Sequence, residues 1–342
     1  MTDRSIQRIA VLGAGAWGTA LAQGAIRAGR RTVLWARSAD VAAAINQRQA
    51  NPAYLPGIAL DPTLKATTDL AETADADALI LAAPAQHTKA LASALPRTDR
   101  PLVIAAKGFE AATGRLMTEL VAEAQPDAPL AVLSGPSFAA EMARGLPTAV
   151  TLACANPTLG RALVDGLGHR TFRPYWVDDL TGVQIGGAVK NVLAIASGVV
   201  MGRGLGENAR AALITRGLAE LMRLGAVLGA RPKTLMGLSG LGDLMLTAGS
   251  LASRNTSLGD ALGRGEDLAD ILGARRSVTE GVHTAAAVTA LADRHGIDMP
   301  VCAAVDGILN RGMTIEEAIG ALLDRPFKAE EGGGLTGPAG LG

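Results

Sequence analysis

Apolar positions follow two rhythms along this 342-residue chain, and the rhythm changes near residue 178. Before that point, short and continuously apolar runs alternate with stretches at helical spacing. The runs predict strands over 6–12, 31–36, 77–84, 102–106, 130–133, 148–153 and 171–173, with a helix over 17–28 that Gly29 ends. A run that is apolar throughout suits a strand covered on both faces, so the alternation predicts a parallel sheet with helices on either side. Ser38 is set to cap the following helix, and Asp40 complements its dipole. Asn51-Pro52-Ala53-Tyr54-Leu55-Pro56-Gly57 reads as a turn-rich excursion. Beyond 178 the strand runs stop, and helical spacing continues to about 323 with breaks near 202–206, 229–232, 237–243, 263–265 and 295–300.

The first strand–helix junction carries the most specific pattern. Gly13, Gly15 and Gly18 stand at G-x-G-x-x-G spacing, and the β-type run Thr32-Val33-Leu34-Trp35 follows within about 30 residues, as a dinucleotide-binding βαβ unit requires. Gly13 permits a tight turn, Gly15 removes the Cβ that would block a pyrophosphate, and Gly18 lets helix and strand approach. The amides that open the helix then face the phosphates. The expected fold is therefore α/β: a Rossmann-type parallel-sheet domain over 1–178, an all-helical domain over 179–325, and a flexible glycine-rich tail over 326–342. In such sheets ligands bind beyond the carboxyl ends of the strands. Lys107 and the turn Ser134-Gly135-Pro136-Ser137 both follow strands there, so Lys107 is either a solvated loop residue or a cation of that crevice. An acid at the end of the second strand marks NAD, whereas an Arg suits a 2′-phosphate. This chain has Trp35-Ala36-Arg37-Ser38 and no acid before Asp40, which favours NADPH over NADH, with Arg37 on the phosphate and the adenine.

Composition narrows the class further. Apolar residues make up 49% and charged residues 19%, with 3% aromatics, which describes a soluble globular chain of small side chains. Lys plus Arg balances Asp plus Glu at 32 each, so no bulk charge points to nucleic acid or a membrane surface. Two cysteines, Cys154 and Cys302, give neither a disulfide framework nor ligand spacing; buried thiols and no metal are expected. The polar N-terminus lacks a secretory h-region. The longest apolar stretch, 183–202, contains Gln184, Lys190 and Asn191, and a central Lys costs about 2.5–3.5 kcal/mol in a bilayer. It reads as a buried helix of a cytoplasmic protein without membrane insertion.

Several separated motifs then agree. Gly13-Ala14-Gly15-Ala16-Trp17-Gly18-Thr19-Ala20, the 51–57 segment, Lys107-Gly108, Ser134-Gly135-Pro136-Ser137-Phe138-Ala139, Ala188-Val189-Lys190-Asn191, Gly240-Leu241-Gly242-Asp243-Leu244, Ser253-Arg254-Asn255 and Thr279-Glu280-Gly281-Val282 occur in this order. Together they closely resemble the bacterial NAD(P)-dependent sn-glycerol-3-phosphate dehydrogenases over about residues 6–325. Ala16 departs from the Ser common there, a change that a backbone amide contact survives. The resemblance implies reversible reduction of dihydroxyacetone phosphate to sn-glycerol 3-phosphate with NAD(P)H, supplying the phospholipid backbone. It also implies a homodimer with its active site between the two domains. By the same resemblance Lys107 is a second cation beside the catalytic amine, and Asn191, Gly135 and Ser137 contact substrate. Ala16, Trp17, Ala139, Val278 and Glu280 line the cofactor, and Lys107 and Arg254 serve both ligands.

Ketone reduction needs a positioned nicotinamide, a proton donor and a grip on the phosphate. Lys190 is the only charge in a long apolar helix, so burial should lower its pKa toward the working range and suit it as proton donor. Asp243 opposes that shift and fixes an ammonium or a substrate hydroxyl. Phosphate recognition falls to Ser253, Arg254 and Asn255, with Arg offering a planar fork of donors; from the residues alone the run is equally a helix cap in a polar loop. Gly186 and Gly187 share the Lys190 face and serve either ligand approach or close helix packing. Two other functions remain open: a β-hydroxyacid dehydrogenase of the same layout, and a sensor that binds NAD(P) without turnover.

Overall fold

The computed structural model describes residues 5–274 and 279–326. Its first part runs β1 (Arg8–Leu12), α1 (Ala16–Arg27), β2 (Arg31–Trp35), α2 (Ala39–Arg48), β3 (Ala50–Asn51), β4 (Leu55–Ala59), β5 (Lys65–Thr67) and β6 (Ala78–Leu81). It continues through α3 (Ala85–Ala94), β7 (Leu102–Ile104), α4 (Met117–Ala124), β8 (Leu130–Ser134), α5 (Ala139–Ala143), β9 (Thr148–Cys154), α6 (Pro157–Leu167) and β10 (Phe172–Val177). Helices follow: α7 (Leu180–Gly202), α8 (Gly206–Val227), α9 (Pro232–Leu235), a π-helical turn at Leu238–Gly242, and α10 (Asp243–Ala248). The last are α11 (Arg254–Gly263), α12 (Leu268–Gly273), α13 (Glu280–His295), α14 (Pro300–Asn310) and α15 (Ile315–Leu323). The breaks expected near 202–206, 229–232, 263–265 and 295–300 fall at the ends of α7, α8, α11 and α13.

Eight strands form one sheet in the order β10-β9-β8-β7-β6-β1-β2-β5. Neighbouring strands of β1, β2, β5, β6, β7 and β8 are parallel, which gathers their carboxyl ends on one side. The sheet is not parallel throughout, because β8 and β9 pair antiparallel and β10 follows the direction of β9. The 135–147 connection holds only the five-residue α5, so the chain turns back and re-enters the sheet at the same end. A parallel return needs a crossover helix that runs back along the sheet, and five helical residues span only about 7.5 Å. The 51–57 excursion contains a small antiparallel hairpin, β3–β4, and β5 adds a short edge strand beside β2. Strands of two and three residues are too short to carry a period.

Successive side chains of each strand enter opposite cores. Ile9, Val11, Ile80, Val103 and Leu133 pack with α1, α5 and α6 on one face; Ala10, Leu12, Leu81, Ile104 and Val132 pack with α3 and α4 on the other. A third core lies among the helices around α7. The cores trade members: Phe109, which follows β7, is wholly buried in the helical core, and Val183 of α7 joins the sheet core. Asp179 starts α7 by accepting from the Gly182 amide at 2.7 Å, and its other oxygen takes the Arg231 amide at 2.8 Å. By length and composition α7 is the single described helix able to cross a membrane, but 89% of its apolar window is buried inside the protein. Both cysteines are free and buried.

Candidate active site

Lys190 and Asn191 occupy the middle of α7, where every residue from Gly182 to Val200 is buried. Lys190 is 7% exposed and Asp243 1%. The Lys190 ammonium lies 3.0 Å from Asp243 Oδ1 and donates to Thr247 Oγ1 at 2.7 Å. Lys107, from the loop after β7, donates to Asp243 Oδ2 at 2.6 Å and to the Gly135 carbonyl at 2.9 Å. One carboxylate is thus shared by two ammonium groups, one from each half of the chain. Burial drags the Lys190 pKa down, Asp243 opposes that pull and Lys107 adds to it, and the balance lies at about 8. Burial alone would raise the Asp243 carboxyl, but the two ammonium groups outweigh it and hold the carboxyl below its ordinary range.

Backbone packing fixes this triad in place. Asp243 opens α10 directly after the π-helical turn, an irregular backbone of the kind found at functional sites. A Cβ on Gly240 would lie 1.9 Å from the Leu235 carbonyl oxygen, and one on Gly186 would lie 2.6 Å from that of Ser239. A Cβ on Gly187 would meet Ser134 Oγ at 2.5 Å. Gly186 and Gly187 therefore serve close packing, and α7 is pressed against the π-helical turn on one side and the end of β8 on the other.

A chain of amide contacts leads from the lysines toward α13. Asn191 Nδ2 donates to the Lys107 carbonyl at 3.2 Å, and Asn191 Oδ1 accepts from Asn255 Nδ2 at 2.9 Å. Asn255 Oδ1 in turn accepts the Gly281 amide at 3.2 Å. Glu280 accepts the Ala85 amide at 3.2 Å, which ties the start of α13 to the start of α3 beyond β6. Burial pushes the Glu280 carboxyl up, against the pull of that amide and of the Arg254, Lys190 and Lys107 charges.

The glycine turn lies beside the end of β6. Gly13 has φ +120°, and a Cβ there would meet the Ala82 carbonyl oxygen at 2.9 Å; one on Gly18 would lie 1.8 Å from the Gly13 oxygen. A Cβ on Gly15 would meet nothing within 4 Å. The first turn of α1 has neither a capping side chain nor an acid, so the Ala16, Trp17 and Gly18 amides keep their donor capacity. The buried Trp17 Nε1 also lacks a partner among the described residues. An open face above Gly15, bare amides and an unused indole donor fit an anionic nucleotide. Arg37 is exposed just past β2, whose Trp35 carbonyl accepts the Gly13 amide at 3.0 Å.

The remaining candidates divide by position. Ser253 caps α11 by accepting from the Thr256 amide, so the cap reading of that side chain is realised; Arg254 is exposed on the first turn. Ser137 donates to the Gly135 carbonyl at 2.9 Å, and Ala139 begins α5. Val278 lies outside the described residues, as does 327–342 of the expected tail. Sequence reading missed Thr247, which receives the Lys190 proton donor and donates to Asp243 Oδ1 at 3.2 Å. Its signal was its place four residues past Asp243, on the same helical face. Among the described residues no group of three His, Cys, Asp or Glu side chains is placed to hold a metal ion.

Two family models match the chain: NAD-dependent glycerol-3-phosphate dehydrogenase N-terminus over residues 8–160 and NAD-dependent glycerol-3-phosphate dehydrogenase C-terminus over 179–320. The chain is 59% identical to glycerol-3-phosphate dehydrogenase [NAD(P)+] of Rhodospirillum rubrum, over 96% of each chain. It is 57% identical to the protein of that name from Parvibaculum lavamentivorans, over 95% of this chain and 98% of the relative. The crystal structure of glycerol-3-phosphate dehydrogenase from Coxiella burnetii superposes with a TM-score of 0.89 at 40% identity, covering 94% of this chain and all of that one.

Proposed function

This chain belongs to the NAD-dependent glycerol-3-phosphate dehydrogenase family, and on that footing we propose that it reduces dihydroxyacetone phosphate reversibly to sn-glycerol 3-phosphate with Lys190 as proton donor. As a member it is an NAD(P)-dependent oxidoreductase. The observation that carries the finer reading is the Asp243 carboxylate between the Lys190 and Lys107 ammonium groups.

When bound, the nicotinamide supplies a hydride to the carbonyl carbon and takes it back in the reverse direction. The glycine turn at Gly13, Gly15 and Gly18, with the amides of Ala16 and Trp17, would hold its pyrophosphate. Ala139 and Glu280 would line the rest of that site. Lys190 gives a proton to the ketone oxygen as negative charge grows there, and its neutral amine recovers that proton from the alcohol in oxidation. Two of its three donors already face Thr247 and Asp243, which aims the third. Asp243 steadies both ammonium groups, and Lys107 adds positive potential near the oxygen and keeps Lys190 acidic. Gly135, Ser137 and Asn191 border the substrate, and Ser253, Arg254 and Asn255 receive its phosphate. Arg37 selects NADPH through the 2′-phosphate. The product serves as the backbone of glycerophospholipids, and the enzyme works as a cytoplasmic homodimer, to be checked by sedimentation.

A steady-state assay with dihydroxyacetone phosphate and each nicotinamide nucleotide tests the reading. Lys190→Ala should lower turnover by about 10²–10⁴-fold, while NADPH binding stays near wild type. Turnover close to wild type would remove Lys190 from the mechanism.

A further inference from the structure

Asn51 has no part in the chemistry above, yet it is 0% exposed and touches the glycine turn. It ends β3, and its Nδ2 gives one proton to the turn and one to the helix after it: the first to the Ala14 carbonyl at 2.9 Å, the second to Thr19 Oγ1 of α1 at 2.9 Å. Ala14 sits between Gly13 and Gly15, the two residues most free to rotate. A trans peptide points its carbonyl and its N–H in opposite directions, and the described chain has no cis bond. Whatever holds the Ala14 oxygen therefore sets the heading of the Gly15 N–H. Hydrogen-bonded to Asn51 on its buried side, the Ala14–Gly15 peptide turns that N–H the opposite way.

We infer that Asn51 is a positioning residue for the nucleotide, a brace that locks the glycine turn in its phosphate-ready conformation. Without it the Ala14 oxygen is a buried acceptor with no donor, and the peptide gains from flipping toward any other one. The 51–57 segment thus acts on nucleotide affinity through one side chain. The inference rests on the nucleotide reading of the site, and the controls separate the two.

Gln23 supplies the comparison. It fastens the same hairpin region to α1, accepting the Asp61 amide at 3.0 Å and donating to the Ala59 carbonyl at 3.4 Å, without touching the turn. NADPH affinity is measured by fluorescence titration alongside thermal melting of the wild type, Asn51→Leu and Gln23→Met. Asn51→Leu should raise the NADPH Kd about tenfold, with kcat at saturating nucleotide within about threefold of wild type. Gln23→Met should lower the melting temperature and leave Kd unchanged. An unchanged Kd in Asn51→Leu, or an equal rise in Gln23→Met, overturns the brace. Where Asn51→Leu does not fold, the isosteric Asn51→Asp decides, since its carboxylate offers the Ala14 oxygen no proton: a several-fold rise in Kd supports the brace and no change overturns it. A wild type that fails to bind NADPH defeats the nucleotide reading itself.

Discussion

Lys190 has an ordinary pKa of 10.5 and is brought to about 8 by burial. As the proposed proton donor it would act as the ammonium in the reduction, so kcat/KM for dihydroxyacetone phosphate should be flat at low pH and fall about tenfold per unit above pH 8. Oxidation of glycerol 3-phosphate should rise through the same value. Two titrations without that mirror relation would assign the proton to another group. The sign for stability follows from the same shift. Between about 8 and 10.5 the unfolded chain holds the proton that the folded chain has released, so this lysine burdens folding less as pH rises across that window. Arg37→Ala should raise the KM for NADPH and leave that for NADH nearly unchanged; equal losses would undo the 2′-phosphate assignment. At this scale the sequence was readable wherever a residue clashed with its surroundings. A lone charge in an apolar helix announces itself, as does glycine at fixed spacing. Thr247 and Asn51 do not, because a hydroxyl and an amide become informative only once tertiary contacts choose their partners.

The pairing of α7 with α11 brings the lysine helix against the phosphate candidates. Both helices meet through glycine at four-residue spacing: a Cβ on Gly198 would lie 2.1 Å from the Thr256 oxygen, and one on Gly259 would lie 2.0 Å from that of Ile195. Gly259→Ala should therefore push the helices apart, costing about 2–3 kcal/mol in a urea melt. It should also raise the KM for dihydroxyacetone phosphate more than that for NADPH, because Arg254 and Asn255 ride on α11 while the nucleotide turn does not. A variant as stable as wild type would deny that contact its tightness. Long apolar runs and long helical stretches were visible in the sequence, since each repeats its period several times. The direction of β9 was not, because a doubly covered strand is apolar whichever way it runs. The β3–β4 hairpin was not either; it is pinned by Asn51 and Gln23 contacts far apart in sequence.

Across the whole molecule the two halves exchange core residues, Phe109 entering the helical core and Val183 the sheet core. Neither half keeps its packing if the other melts, so unfolding should be a single transition. The three tryptophans, Trp17, Trp35 and Trp176, all belong to the sheet half, while most helical ellipticity comes from the other. Fluorescence and circular dichroism melts should coincide, and midpoints several degrees apart would reveal independent domains. The bare first turn of α1 has a consequence in the cell. A ligand held only by the native fold adds about 2.7 kcal/mol at a hundredfold excess over its Kd, and the proposed nucleotide would finish a helix. The lifetime of the protein against proteases would then track the nucleotide pool, so a cell short of the nucleotide in both its redox forms would lose the enzyme as well as its activity.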